Sequence, residues 1–239
     1  MTKIYKLNSY MGKKINCNSM YPCIVKQLEE LYVLSNLSDT IFKCPLGFHI
    51  RIRLADKTSM AKFSAMLAKH YEKYGYVPLR YTVREMDETG VHYHIAIVIE
   101  GKKNKRSSLS SFLGKLQKSG YLHDYKVIAP DGLPFGQLLL EQEHKDEYFK
   151  WMSYLAKTRS KETGKQSSSP CKRLVSLIKS WRSQGKPDLS SNERVGPQDL
   201  TVHMEDNPSL GRSAVSDIIF IQNSGNIVRH LTVCTQRAL

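Results

Sequence analysis

Two histidines, His92 and His94, stand where both can bind one metal ion. They lie in the run 91–99, which follows turn-forming residues and is otherwise apolar, so we predict a β-strand. Side chains two residues apart on a strand point to the same face, and both imidazoles can therefore reach one cation. An isolated pair of this kind is weak evidence, and two half-exposed histidines packed on arginine side chains are the alternative.

The turn before this strand supplies a candidate third ligand, Glu85. Two β-rich runs flank the turn-forming residues 87–90, a pattern typical of a hairpin. If Met86 pairs with Val91 across the turn, Glu85 lies opposite His92, and directly opposed residues share a face. Two imidazoles and a carboxylate suit Mg²⁺ or Mn²⁺ with open positions for phosphate oxygens, or zinc. A shift of one residue in register would remove Glu85 from this face.

A candidate nucleophile, Tyr154, lies in the run 144–161, which has the apolar periodicity of a helix. A spacing of three residues puts Lys157 on the same helical face. A phenol has an ordinary pKa of about 10, so attack on a phosphodiester needs a metal ion on the phosphate or a cation beside the phenolate. Tyr148 lies on the same predicted helix and is the rival or second nucleophile. A half-buried structural tyrosine is the alternative for Tyr154.

Other stretches have the periodicity of the elements that must position these groups. The run 47–55 alternates strictly and is predicted to be a half-buried strand whose polar face carries His49, Arg51 and Arg53. The composition of residues 163–170 is typical of a linker. The predicted helices are residues 22–36, 58–74, 107–118 and 171–182. These elements divide the chain into a basic N-terminal arm (1–20), a catalytic domain (21–182) and a weakly structured C-terminal tail (183–239).

The charge of the chain favours an anionic partner, of which nucleic acid is the commonest. The 239 residues include 36 Lys and Arg against 22 Asp and Glu, a formal net charge of +14. The sequence has no apolar run of about 18 residues and no secretory signal, so we expect a cytoplasmic protein without a membrane partner. Candidate phosphate contacts, which are equally consistent with a solvated loop and strand face, are Lys102, Lys103, Lys105, Arg106, Arg51 and Arg53.

The order of these motifs resembles that of the HUH endonucleases, which initiate rolling-circle replication. A strand with a basic face comes first, then a helix, a hairpin with His-hydrophobic-His, and a helix with Y-x-x-K. The stretches ETGVHYHIAIVIEG and YFKWMSYLAKTRSK are most similar to the gene-two replication proteins of filamentous phages and their prophage-encoded relatives. The resemblance covers roughly residues 22–165.

The resemblance implies an α+β fold, with a five-stranded antiparallel sheet, helices packed on one face and the metal site on the other. It assigns divalent-metal binding to His92 and His94, with Glu85 as the matching carboxylate, and Mg²⁺ or Mn²⁺ as the ion. It makes Tyr154 the nucleophile and Lys157 its accompanying lysine. The family often has an acidic residue in its first motif where this chain has Arg53, and Asp56 is the nearest replacement.

The function implied is metal-dependent, site-specific nicking and joining of DNA at the replication origin of a phage or prophage-like element in a bacterial host. Tyrosine attack would leave a 5′-phosphotyrosine and a free 3′-hydroxyl for a host polymerase. The sequence lacks G-x-x-x-x-G-K-[ST], so a host helicase is expected as a second partner. A plasmid relaxase and a single-tyrosine transposase use the same motifs. A non-catalytic DNA-binding regulator and a basic structural protein of a phage particle are the alternatives from other classes.

Overall fold

The computed structural model describes residues 3–88, 90–104, 106–128, 136–158 and 167–185. These residues form an α+β fold, as expected. The helices are α1 (Val25–Asn36), α2 (Met60–Glu72), α3 (Arg106–Lys118), α4 (Gln142–Met152) and α5 (Lys172–Ser183). The strands are β1 (Ile4–Tyr5), β2 (Ser9–Tyr10), β3 (Lys13–Lys14), β4 (Cys23–Ile24), β5 (Pro45–Leu54), β6 (Leu79–Asp87), β7 (Gly90–Glu100), β8 (Leu122–Ile128), β9 (Gln137–Leu138) and β10 (Ser168–Pro170).

The central sheet of the described residues has six antiparallel strands, one more than expected. Their order is β10-β6-β7-β5-β8, and β9 also pairs with β5. Strand β10 lies where the composition predicted a linker. Ser168 pairs with Val83, and Pro170 ends an edge strand, where the missing N–H of proline is tolerated. Strand β8 lies in a stretch for which the sequence predicted no element.

Helices cover both faces of this sheet, so the prediction of helices on one face only was wrong. Strict alternation in β5 sends Phe48, Ile50 and Ile52 to the face on which α2 and α3 pack. The opposite face of β7 carries Ala96 and Val98, and α1, α4 and α5 pack there. Each face of the central strands is apolar over part of its length, and each such surface needs a helix to exclude water. The site described below lies on the second face.

The segment predicted as a basic arm contributes to the core of this second face. Its strands β2 and β3 pair as a short hairpin, and Tyr10, Ile15 and Cys17 are buried in the same cluster as residues of α1 and α4. Lys13 stays at the surface, where its ammonium group lies 2.7 Å from the Asp146 carboxylate on α4. The charged residues of the segment therefore coexist with an apolar side that packs against the body.

Local signals explain the bounds of α2 and the docking of α5. The Ser59 hydroxyl accepts a hydrogen bond from the backbone N–H of Lys62 and caps α2. The Arg182 guanidinium on α5 donates two 2.8 Å hydrogen bonds to the Glu29 carboxylate on α1.

Among the described residues, no helix is long and apolar enough to cross a membrane.

Candidate metal centre and tyrosine site

The predicted register of the β6–β7 hairpin is confirmed. Met86 pairs with Val91 and Glu85 with His92. Glu85 therefore shares a face with His92 and with His94, which lies two residues further along β7. Gly90 has a φ of 103°, a value that glycine adopts without strain, and it closes the turn opposite Asp87. The turn is local in sequence, and it fixes the register of all three side chains.

Glu85, His92 and His94 form a group that can hold a metal ion, because their ligand atoms lie within 4.8 Å of one another. Oε2 of Glu85 is 3.4 Å from Nε2 of His94 and 3.9 Å from Nε2 of His92. The side chains of Glu85, His94 and His92 are only 11%, 12% and 7% exposed, respectively. Two imidazole nitrogens and one carboxylate are a donor set that binds divalent transition metals and leaves coordination positions open. The residues therefore fit a divalent cation.

Asp87 and Arg51 support the outer side of this group. Oδ2 of Asp87 lies 3.4 Å from Nδ1 of His92, the ring nitrogen that faces away from Glu85. The same oxygen accepts a 3.1 Å hydrogen bond from the Arg51 guanidinium. A carboxylate beside the outer nitrogen orients a ligating imidazole and favours the tautomer that a metal requires.

His49 is a site residue that the sequence did not single out. It lies on β5 two residues before Arg51, the pairing partner of His94, and its Nε2 is 2.8 Å from Nδ1 of His94. Burial, followed by the neighbouring His94, lowers the pKa of His49 to about 3. The His49 ring is therefore neutral and offers a lone pair. The alternation of β5 placed His49 on the polar face, but nothing local in the sequence reveals that β5 pairs with β7.

The Tyr154 hydroxyl meets these two histidines. It lies 2.8 Å from Nε2 of His49 and 3.2 Å from Nδ1 of His94. We assign the Nδ1 proton to His94, because its Nε2 then keeps a lone pair toward Glu85. Burial raises the pKa of the Tyr154 phenol well above its ordinary value, the charge of Glu85 raises it further, and Arg51 lowers it. The tyrosine therefore stands as a neutral phenol in contact with a candidate metal ligand.

Lys157 does not share a helical face with Tyr154, because the helix predicted over 144–161 was too long. Helix α4 ends at Met152 and passes into a 3-10 turn, Ser153–Ala156. Lys157 itself has an extended backbone and forms a β-bridge with Cys23. The Lys157 N–H still donates to the Tyr154 carbonyl, and the next N–H, that of Thr158, donates to the Pro22 carbonyl in the segment before α1. The Lys157 ammonium group lies 5.5 Å above the Tyr21 ring.

Tyr148 lies in the interior of the protein. Its hydroxyl donates a 2.9 Å hydrogen bond to the carbonyl oxygen of Phe48. Its ring lies over Gly47, where an added Cβ would come within 2.7 Å of a ring carbon. Burial raises the pKa of the Tyr148 phenol far above its ordinary value. The structure brings Tyr154, and not Tyr148, to the candidate metal ligands.

The predicted phosphate contacts separate into two groups. Arg51 lies directly opposite His94, and Arg53 follows on the same face of β5, opposite Asp124. Lys102 and Lys103 follow the far end of β7, about 26 Å along the strand from His92 at roughly 3.3 Å per residue.

At that far end, two of the predicted phosphate contacts bond to the body of the protein. The Lys103 ammonium group donates to the carbonyl of Tyr74, and the Arg106 guanidinium donates to that of Val127. Lys105 lies outside the described residues. Asp56 is fully exposed and lies 3.8 Å from His123, so the structure does not bring it to the metal ligands.

Comparisons with known proteins found no match, whether the chain was compared with family models, with curated proteins or with solved structures.

Proposed function

We propose that this chain is a metal-dependent endonuclease that nicks and rejoins a DNA strand through Tyr154. One observation carries the proposal: the Tyr154 hydroxyl contacts Nδ1 of His94, and Nε2 of the same ring faces Glu85 among the candidate metal ligands. A metal ion that withdraws charge from the phosphate, held beside a tyrosine oxygen, would assist phosphoryl transfer to that tyrosine. The sequence resemblance and the net charge of +14 support DNA as the substrate.

The reaction transfers a phosphoryl group between two oxygens. The Tyr154 oxygen bonds to the phosphorus of the scissile phosphodiester, and the bond from phosphorus to the 3′ oxygen breaks. The phenol proton leaves and the 3′ oxygen gains a proton, so the products are a 5′-phosphotyrosine and a 3′-hydroxyl. The energy of the phosphodiester is retained, and attack by a 3′-hydroxyl on the phosphotyrosine rejoins a strand.

Residues of this chain supply orientation and charge for that step. His49 holds the phenol through the 2.8 Å contact to its Nε2, and Arg51 presents a guanidinium on the same face. Mg²⁺ or Mn²⁺ held by Glu85, His92 and His94 would withdraw charge from a phosphate oxygen. The host polymerase, the host helicase and the replication of a phage or prophage-like element in the bacterial cytoplasm belong to the same proposal.

A DNA-binding regulator without catalysis is the second candidate, and the environment of Tyr154 favours it. The phenol is largely enclosed, and its pKa is raised and not lowered. Without a bound ion and a substrate to oppose these effects, Tyr154 remains a poor nucleophile. The two candidates share the DNA partner and differ only in strand cleavage.

Nicking of supercoiled DNA tests the proposal. The substrates are plasmids that carry fragments of the genome flanking the coding sequence, incubated with Mn²⁺ or Mg²⁺ and then treated with protease. We expect open circles with peptide on the 5′ end, and we expect Tyr154→Phe to abolish them. Tyr148→Phe is the matched control and should still nick. Cleavage that survives in Tyr154→Phe would contradict the proposal, and DNA binding without cleavage in the wild type would establish the regulator.

A further inference from the structure

The face of β6 turned away from the metal ligands borders a groove beneath α2, which we call the α2 groove. It consists of two adjoining cavities of about 360 and 710 Å³. Both are lined by Ala61, Ser64 and Arg80, so they lie side by side. The first is bounded further by Arg84 and Tyr93, and the second opens toward the start of α5. The groove is therefore large enough for more than one nucleotide unit.

Positive charge lines the floor of the α2 groove. Arg80, Thr82 and Arg84 alternate on β6 and point to the same face. The Arg80 guanidinium donates one 2.9 Å hydrogen bond to the Thr82 hydroxyl, which uses one of its five donors. Within the described part of the chain, no carboxylate lines the first cavity. The second cavity has one, Glu72, beside Arg80, Lys172 and Arg173.

The spacing and the walls of the groove fit a nucleic-acid strand. Arg80 and Arg84, four residues apart on β6, are separated by about 13 Å, which matches about four nucleotide steps of about 3.4 Å in a stacked strand. The α2 wall carries small side chains at Ala61, Ser64, Ala65 and Ala68, so a backbone can approach closely. The half-buried Tyr93 ring borders the first cavity and offers an aromatic surface for a base.

We propose that the α2 groove binds the sugar-phosphate backbone of single-stranded nucleic acid, with phosphates on Arg80 and Arg84 and a base against Tyr93. This site goes beyond the proposed nicking activity, because it uses neither Tyr154 nor the metal ligands. Arg84 pairs with Tyr93, whereas the next pair along the hairpin, Glu85 and His92, points to the opposite face. Binding in the groove and chemistry at the cluster are therefore separable.

The test measures the fluorescence anisotropy of a labelled twelve-residue oligothymidylate with the full chain, in EDTA. Arg84→Gln should weaken binding about tenfold, and Lys118→Gln, which removes one exposed charge on α3 away from the groove, should change it less than twofold. The dependence of log K on log salt should lose about 0.7 in slope for each phosphate contact removed. Ala61→Glu places a carboxylate in the groove and should weaken binding at least tenfold. Ser111→Glu, at an exposed position of α3, should not weaken it.

Three outcomes would overturn the proposal. The first is equal binding by each groove variant and its control. The second is displacement of the oligonucleotide by thymidine 5′-monophosphate at an affinity as high as its own, which would assign the groove to free nucleotides. The third is tighter, groove-dependent binding of a labelled oligoglutamate peptide, which would assign it to an acidic protein. A chain that fails to nick but loses oligonucleotide binding in the groove variants would support this site and contradict the proposed function.

Discussion

The two faces of the β6–β7 hairpin near its turn carry opposite chemistries. One face presents Glu85, His92 and His94, which are nearly enclosed, and His94 contacts Tyr154. The other presents Arg84 and Tyr93 to an open groove. Adjacent residues on the same strands contribute to both, because side chains alternate. The comparison indicates that one hairpin separates the candidate metal centre from the α2 groove, with the sheet itself between them.

The largest expected effect concerns the two imidazoles of the enclosed face. The double substitution of His92 and His94 by alanine should lower Mn²⁺ affinity more than about 100-fold, because changes in outer residues alone typically cost about 10- to 100-fold. Titration calorimetry with Mn²⁺ measures this, and His123→Ala, at an exposed site, is the control. Oligothymidylate binding in EDTA should not change. A parallel loss of that binding would mean that the two faces are not separate.

The carboxylate of the enclosed face should have the next largest effect. Glu85→Gln keeps the shape of the side chain and removes its charge, so Mn²⁺ affinity should fall about 10- to 100-fold. Glu88→Gln removes the same charge from an exposed residue of the adjoining turn and is the matched control. If both variants bind Mn²⁺ alike, the charge of the turn and not ligation by Glu85 explains the affinity.

Substitution of His49 should lower the nicking rate through Tyr154 and leave the Mn²⁺ affinity unchanged. His49→Leu removes the acceptor that holds the Tyr154 hydroxyl, and we expect nicking to slow about tenfold through lost orientation. Mn²⁺ affinity should stay within about twofold of the wild type, and His49→Gln, which retains a polar group, should recover part of the rate. The measurement is the single-turnover nicking rate at saturating Mn²⁺. An unchanged nicking rate in His49→Leu would contradict the role of His49 in holding Tyr154.

The smallest expected effect concerns the α2 wall of the binding face. Ser59→Ala removes the cap of α2 and should lower the free energy of unfolding by about 1 kcal/mol. Urea denaturation followed by circular dichroism measures this change, and Ser111→Ala, at an exposed position of α3, is the control. Mn²⁺ affinity should remain that of the wild type. A change in Mn²⁺ affinity would show that the helix on one face is coupled to the ligands on the other.

The parts of the site that could be predicted from the sequence are local. Residues 87–90 predict the hairpin, and the hairpin places Glu85 opposite His92. Recognising this one turn was therefore enough to predict the three candidate ligands. His49 could not be found in this way, because its contact with His94 depends on the pairing of β5 with β7, more than 40 residues apart.

The parts of the fold that were predicted wrongly depend on tertiary contacts. The apolar periodicity of residues 144–161 continues past Met152, but α4 ends there, and after a 3-10 turn the extended Lys157 pairs with Cys23. An amphipathic pattern also gives no information about which face of a sheet a helix covers. Strands β5, β6 and β7 and most of the helices could therefore be predicted individually, whereas β8 and β10 and the distribution of the helices over two faces could not.

His94 uses both nitrogens of one ring, Nε2 toward Glu85 and Nδ1 toward Tyr154. Because one ring makes both contacts, the loss of Tyr154 and the loss of His94 have different consequences when the sequence diverges. A descendant that loses Tyr154 retains every candidate metal ligand, Glu85, His92 and His94. A descendant that loses His94 loses a ligand and the tyrosine's partner in a single substitution. Decay of the proposed nicking activity therefore leaves the candidate ligand set intact when it begins at Tyr154, and breaks that set when it begins at His94.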